Sequence, residues 1–163
     1  MSNPGTSAVV LSQLLSLPSI KLALASAARD EVLLELIAQI PQLVEQPDAR
    51  QRLFTALLER ERLHSTGIGD GIALPHAHNA LAGVVDQPVI VFGRSVRGIS
   101  YGAVDGKPAR LFFLLVAPSV TQHLAILARI SRLLRDLKLR EQLLLAEKPE
   151  QVITLIREAE ARM

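Results

Sequence analysis

The stretch Ala109-Arg110-Leu111-Phe112-Phe113-Leu114-Leu115-Val116-Ala117 decides the fold class of this chain. From Leu111 onward it is apolar without interruption, so it has no polar face to turn towards water. A strand of that kind is buried on both sides and sits in the middle of a sheet covered by helices. Upstream of it, residues 88–95 (PVIVFGRS) are β-branched and read as a second strand, and the turn-rich residues 97–106 have room for a short strand around Ile99 and Tyr101. Ile20-Lys21-Leu22-Ala23-Leu24 alternates as a half-buried strand does, and residues 72–76 form another short strand. Beyond Pro118 the reading is helical over 120–137, 139–146 and 149–161, the last begun by Pro149. Val32, Leu33, Leu36, Ile37 and Ile40 have helical spacing and predict a helix over 29–44; Pro47-Asp48 then restarts a helix that runs to Leu63. A short helix within 9–15 precedes them all. This order implies a single α/β domain in which helices flank a mixed sheet on both faces.

Composition bounds the chemistry. The chain has 163 residues, enough for one domain with a real core. Residues 1–8 are polar and turn-forming and read as a flexible tail, leaving 9–163 as the domain. With no cysteine there is no disulfide, no thiolate nucleophile and no Cys-type zinc site. Eighteen Lys and Arg against 16 Asp and Glu leave a net charge of +2, too little to imply nucleic acid. No basic block is interleaved with aromatic residues, and the Arg129, Arg132, Arg135 series reads as a solvated or ion-paired face. The first basic residue is Lys21, which speaks against a signal peptide. No apolar run approaches the roughly 20 residues that a membrane helix needs. The expectation is a cytoplasmic protein with no direct membrane insertion.

Four histidines remain: His64, His76, His78 and His123. His76 ends the run Gly67-Ile68-Gly69-Asp70-Gly71-Ile72-Ala73-Leu74-Pro75, where proline limits its own backbone and that of Leu74. Such stiff presentation suits chemistry, although a core histidine bonded to a backbone carbonyl would also fit an apolar strand face. His123 shares a helical stripe with Leu127, Ile130 and Leu134, so it points inward near a helix start capped by Ser119 and Gln122. The positive end of that helix favours anions. Arg60 continues the Leu53, Leu57 stripe towards His64, and an inward arginine needs an anionic partner. Glu59, Asp70, Asp105 or a bound phosphoryl group would each serve. His64, at the end of its helix, reads as structural. His78 forms His-x-His with His76, a spacing seen in metal sites, but no carboxylate lies close by in sequence to complete one. The glycines do not form a nucleotide loop: Gly71 is followed by Ile72-Ala73 rather than Lys-Ser/Thr, and they open a strand instead of a helix.

Taken together, these segments resemble the enzyme IIA proteins of the bacterial phosphoenolpyruvate-dependent phosphotransferase system, in the fructose/mannitol family and especially its nitrogen-regulatory branch. The resemblance lies in Arg60-Glu61 with Ser65-Thr66-Gly67-Ile68-Gly69 and Ile72-Ala73-Leu74-Pro75-His76. It continues in Gly98-Ile99 with Asp105-Gly106-Lys107-Pro108, then in 112–118, His123-Leu124 and Arg132-Leu133-Leu134-Arg135-Asp136. It implies a mixed five-stranded sheet, with His76 as phosphoryl acceptor (a tele-phosphohistidine), His123 as second active-site histidine and Arg60 as active-site arginine. It further implies an HPr-like phosphocarrier protein as donor and no metal or other cofactor. Regulatory targets, such as a transporter or sensor kinase, would follow the phosphorylation state of His76. The alternative is a sugar-specific IIA that passes the group to a separate IIB. Outside that resemblance stand a binding module that kept the fold without transfer, and a metal hydrolase on His76 and His78.

Overall fold

The computed structural model describes residues 9–77, 81 and 83–163. The strands are β1 (Ile20–Lys21), β2 (Gly67–Gly69), β3 (Ile72–Ala73), β4 (Val89–Ile99) and β5 (Ala109–Val116). The helices are α1 (Arg29–Ile37), α2 (Pro47–Leu63), α3 (Val120–Leu133), α4 (Leu137–Leu145) and α5 (Pro149–Ala161). One mixed sheet orders the strands β1-β4-β5-β3-β2. β5 lies at its centre, antiparallel to β4 and parallel to β3, while β1 runs parallel to β4 and β2 antiparallel to β3.

The uninterrupted apolar run of β5 serves two cores. Leu111, Phe113 and Leu115 pack with Ile126 and Ile130 of α3, Leu139 and Leu143 of α4, and Val152 and Ile156 of α5. Phe112, Leu114 and Val116 pack on the other face with Val32 and Leu36 of α1 and with Leu53 and Leu57 of α2. Each such side chain, fully buried, contributes about 1.5–3 kcal/mol of transfer free energy, so packing on the sheet rather than helix propensity holds the layers together.

Several boundaries differ from the sequence expectation. The helix expected over 29–44 stops at Ile37, because Pro41 has no amide proton and holds Ile40 in extended geometry (φ −80°, ψ 111°); a 3-10 turn, Pro41–Leu43, follows. Strand 20–24 shortens to Ile20–Lys21, with one further hydrogen bond from Leu24 N–H to the Arg94 carbonyl. Residues 88–95 and the segment around Ile99 are one strand, β4, with an irregularity between Arg94 and Ile99 that hides its continuity from an alternation pattern. The glycine run makes a tight hairpin between β2 and β3, in which Gly69, Asp70 and Gly71 all take positive φ.

Candidate functional site

The site is built where the chain leaves β3. Ala73 and Ile72 pair with Phe112 and Leu111, and three residues later His76 bridges in parallel to Leu115, whose amide donates to the Pro75 carbonyl at 3.0 Å. On the other side Leu74 N–H donates to the Thr66 carbonyl at 2.9 Å. The two residues before the histidine are therefore tied down, Pro75 to β5 and Leu74 to the residue that precedes β2. Nδ1 of His76 lies 2.6 Å from the Leu74 carbonyl oxygen. A carbonyl only accepts, so the proton of the neutral ring sits on Nδ1 and the basic lone pair is on Nε2. The ring is half-buried.

His123 comes from the first turn of α3. Ser119 caps that helix by accepting the Gln122 amide at 3.3 Å, and its hydroxyl donates to Gln122 Oε1 at 2.9 Å. The two side chains meet each other in place of the reciprocal backbone bond of a capping box. His123 belongs to the buried face of α3 with Ile126, Ile130 and Leu133, and is only 5% exposed. Its ring centroid stands 5.6 Å from that of His76, the planes tilted by 55°. Burial, and secondly the neighbouring His76, hold its pKa below the ordinary 6.5. A neutral imidazole thus stands beside the ring of His76.

Arg60 comes from a third element, α2. It is half-buried in the last turn of α2, and Nη1 donates to the His64 carbonyl at 2.5 Å. Neither acidic candidate of the loops pairs with it: Asp70 meets Arg140 at 3.4 Å, and Asp105 accepts the amides of Asp70 and Lys107 at 2.8 and 3.0 Å. The structure brings the rings of His76 and His123 within 5.6 Å of each other. His64, exposed, is the C-cap of α2. His78 lies outside the described residues, and with it the reading of a metal pair.

The inward polar residue of α2 is Glu61. The buried stripe runs Leu53, Leu57, Glu61 at steps of four, where the sequence reading stepped to Arg60. Glu61 Oε1 accepts the Thr66 amide at 2.8 Å; Oε2 accepts the Thr66 hydroxyl at 2.5 Å and the Tyr101 hydroxyl at 3.1 Å. Burial first, and then the Glu61 charge, raise the Tyr101 pKa. Thr66 is the residue whose carbonyl holds Leu74, and Leu74 holds the His76 ring. A buried carboxylate thereby positions the imidazole through two hydrogen-bonded residues. The signal available in sequence was the step of four itself, which fits a helix as well as the step of three does.

Residues 13–159 match the family model described as phosphoenolpyruvate-dependent sugar phosphotransferase system, EIIA 2. The chain is 39% identical over 148 residues to the PTS system fructose-specific EIIABC component of Bacillus subtilis; the match covers 90% of this chain and 23% of that protein, so the chain spans under a quarter of that relative's length. It is 38% identical over 116 residues to the nitrogen regulatory protein of Bradyrhizobium diazoefficiens, covering 70% of this chain and 72% of that one. The crystal structure of nitrogen regulatory protein IIA-Ntr from Neisseria meningitidis superposes with a TM-score of 0.79 at 27% identity, over 91% of this chain and 99% of that one. Enzyme IIAMTL from Escherichia coli, solved in complex with phosphorylated enzyme IIBMTL, shares the fold with a TM-score of 0.74 at 24% identity, over 88% of this chain and 97% of that one.

Proposed function

Since the chain belongs to the EIIA 2 family of the phosphoenolpyruvate-dependent sugar phosphotransferase system, we propose that it is a phosphoryl carrier with a regulatory output, accepting the group on Nε2 of His76 from a histidine of an HPr-like carrier protein. The observation that carries this reading is the hydrogen bond from His76 Nδ1 to the Leu74 carbonyl, which leaves Nε2 basic on a ring that stands beside that of His123. As Nε2 forms its bond to phosphorus, the nitrogen–phosphorus bond in the donor breaks, and each imidazole keeps the proton on its other nitrogen. One phosphoramidate replaces another, so the transfer is readily reversible and asks for positioning more than covalent chemistry. His123 donates one N–H to a phosphoryl oxygen. Arg60 retains further guanidinium donors beyond the one held by the His64 carbonyl, and these meet the incoming group or its carrier.

The added phosphoryl brings about −1.5 to −2 charges to one surface position, a sufficient switch for a target protein to read. Among the described residues no helix is long and apolar enough to cross a membrane, and we place the exchange in the cytoplasm. The regulatory reading is supported by the relatives and the neighbouring structure named for nitrogen regulation. A sugar-specific role, passing the group to a IIB protein, is supported by the 39% identity to the fructose-specific component. Labelled phosphoenolpyruvate, enzyme I and the carrier should label the wild-type chain and leave His76→Ala unlabelled. Absence of label, or label that persists in the variant, sinks the proposal. Rapid onward transfer to a purified fructose-type IIB decides for the sugar-specific role, and its absence for the regulatory one.

A further inference from the structure

We propose that the cavity between the start of β5 and helix α4 binds a small organic oxyanion, a phosphate or carboxylate carried on an apolar body. The cavity is made by an irregularity in the central strand. The amides of Arg110 and Leu111 both donate to the Gly71 carbonyl, at 2.7 and 3.0 Å, and two successive amides on one carbonyl form a β-bulge that re-aims side chains. The packing shows the result: Ala109 and Phe112, three residues apart, enter the same core, while Leu111 enters the other. Arg110 is thereby turned to the α4 side with Leu111, where both line a cavity of about 350 Å³.

Arg110 makes no ion pair there among the described residues. Its Nε is buried and has no hydrogen-bond partner among the described residues. The nearby Arg94 is already held by the carbonyls of Leu22, Leu143, Leu144 and Ala146, and its pKa is lowered by burial and by the charge of Arg110. Lys107 and Arg140 add two cations to the wall. Against them, Asp70 reaches only Arg140, at 3.4 Å, and Glu141 makes no ion pair among the described residues. A partly desolvated guanidinium left unpaired is costly, and its planar fork fits an oxyanion. Leu111, Leu137 and Leu144 supply the apolar surface, and the volume suits a small metabolite rather than a single ion. Gly71 and His76 are five extended residues apart, roughly 16 Å, so the occupant does not contact the phosphoryl site.

The test is a titration of the full ¹⁵N-labelled chain with phenyl phosphate, benzoate and inorganic phosphate, using phenol as the uncharged control and following backbone and arginine Nε resonances. The expected result is saturable shifts at Gly71, Lys107, Arg110 and Leu111 with phenyl phosphate or benzoate, tighter than with inorganic phosphate and absent with phenol. The preferred headgroup distinguishes phosphate from carboxylate. Affinity should fall about tenfold in Arg110→Met and in Lys107→Met, the latter an exposed loop change that leaves the core untouched, and should be unchanged in His76→Ala. No saturation by any anion up to roughly 10 mM, wild-type affinity retained in both cation variants, or shifts centred on His76 and His123 would each overturn the proposal. None of these outcomes bears on phosphoryl acceptance by His76.

Discussion

His123 has two properties that a single substitution separates. Its ring is neutral at neutral pH because burial and His76 depress its pKa below 6.5, and it stands 5.6 Å from the proposed acceptor ring. In the unfolded chain the imidazole takes up a proton near 6.5, whereas the folded chain does so only at lower pH. Between those values the unfolded state binds more protons, so stability falls as the pH falls. His123→Gln removes that slope: the melting temperature of the wild type should drop more steeply than that of the variant below pH 6.5. The same variant should slow phosphoryl acceptance about 10²–10³-fold in single-turnover transfer, while the label stays on His76. A variant that transfers at the wild-type rate would leave His123 as a core histidine. The inward direction of His123 was legible from the spacing of its helix, because an apolar stripe of period 3.6 includes whatever residue falls on it. The same argument chose Arg60 over Glu61 on α2, since steps of three and four both lie near that period and only packing decides between them.

The connection from β1 to α1 is fastened by one carboxylate. Glu35 accepts the amides of Ala25 and Ser26 and the Ser26 hydroxyl, and pairs with Lys21 at 2.8 Å. Burial alone would raise its pKa, but these donors outweigh it and bring the value from 4.5 down to about 2. A depressed carboxyl pKa contributes stability that is complete above 4.5 and is lost as the pH falls towards 2. Glu35→Gln should therefore flatten the acid limb of the stability curve in that window, by up to about 1.4 kcal/mol per pH unit, as read from urea unfolding at stepped pH. Where β4 crosses α1, Gly93 leaves no room: a Cβ there would meet Leu36 Cδ2 at 2.6 Å and Leu24 Cδ1 at 3.0 Å. Gly93→Ala should destabilise by about 1–3 kcal/mol through overpacking, and Leu36→Ala in the same chain should make the pair cost less than the sum of the two. Elements with strong local signals were legible: β5 from its unbroken apolar run, and α5 from Pro149 and its spacing. The early end of α1 was also written in the sequence, at Pro41, but the apolar spacing through Ile40 ran up to it. The bulge at Arg110 and the continuity of β4 depend on which strands pair, and nothing local encodes that.

Glu160 joins the two ends of the described chain. It lies in the last turn of α5, where a negative charge opposes the helix dipole, so local preference argues against it. Its position is explained by what it accepts: the amides of Leu11 and Ser12 at 2.8 and 2.9 Å, and Arg129 Nε of α3 at 3.0 Å. Those amides open the 3-10 turn Leu11–Leu14, and Leu11 itself is buried in the core beneath α3 and α5. One carboxylate thus closes the amino-terminal turn against two helices across a sequence separation that no periodic pattern reports. Glu160→Ala leaves two buried amides and a half-buried guanidinium without their acceptor, and should destabilise the fold by about 3–5 kcal/mol. Glu160→Gln keeps one carbonyl oxygen for an amide and should fall between the wild type and the alanine variant. The two possible origins of that loss separate in hydrogen exchange. If the carboxylate acts as a clamp, the Leu11 and Ser12 amides should exchange through local opening in either variant, while the paired amides of β4 and β5 still exchange only by global unfolding. If all of these amides instead lose protection together, the amino-terminal turn and the sheet unfold as one cooperative unit, and the clamp is not a local device.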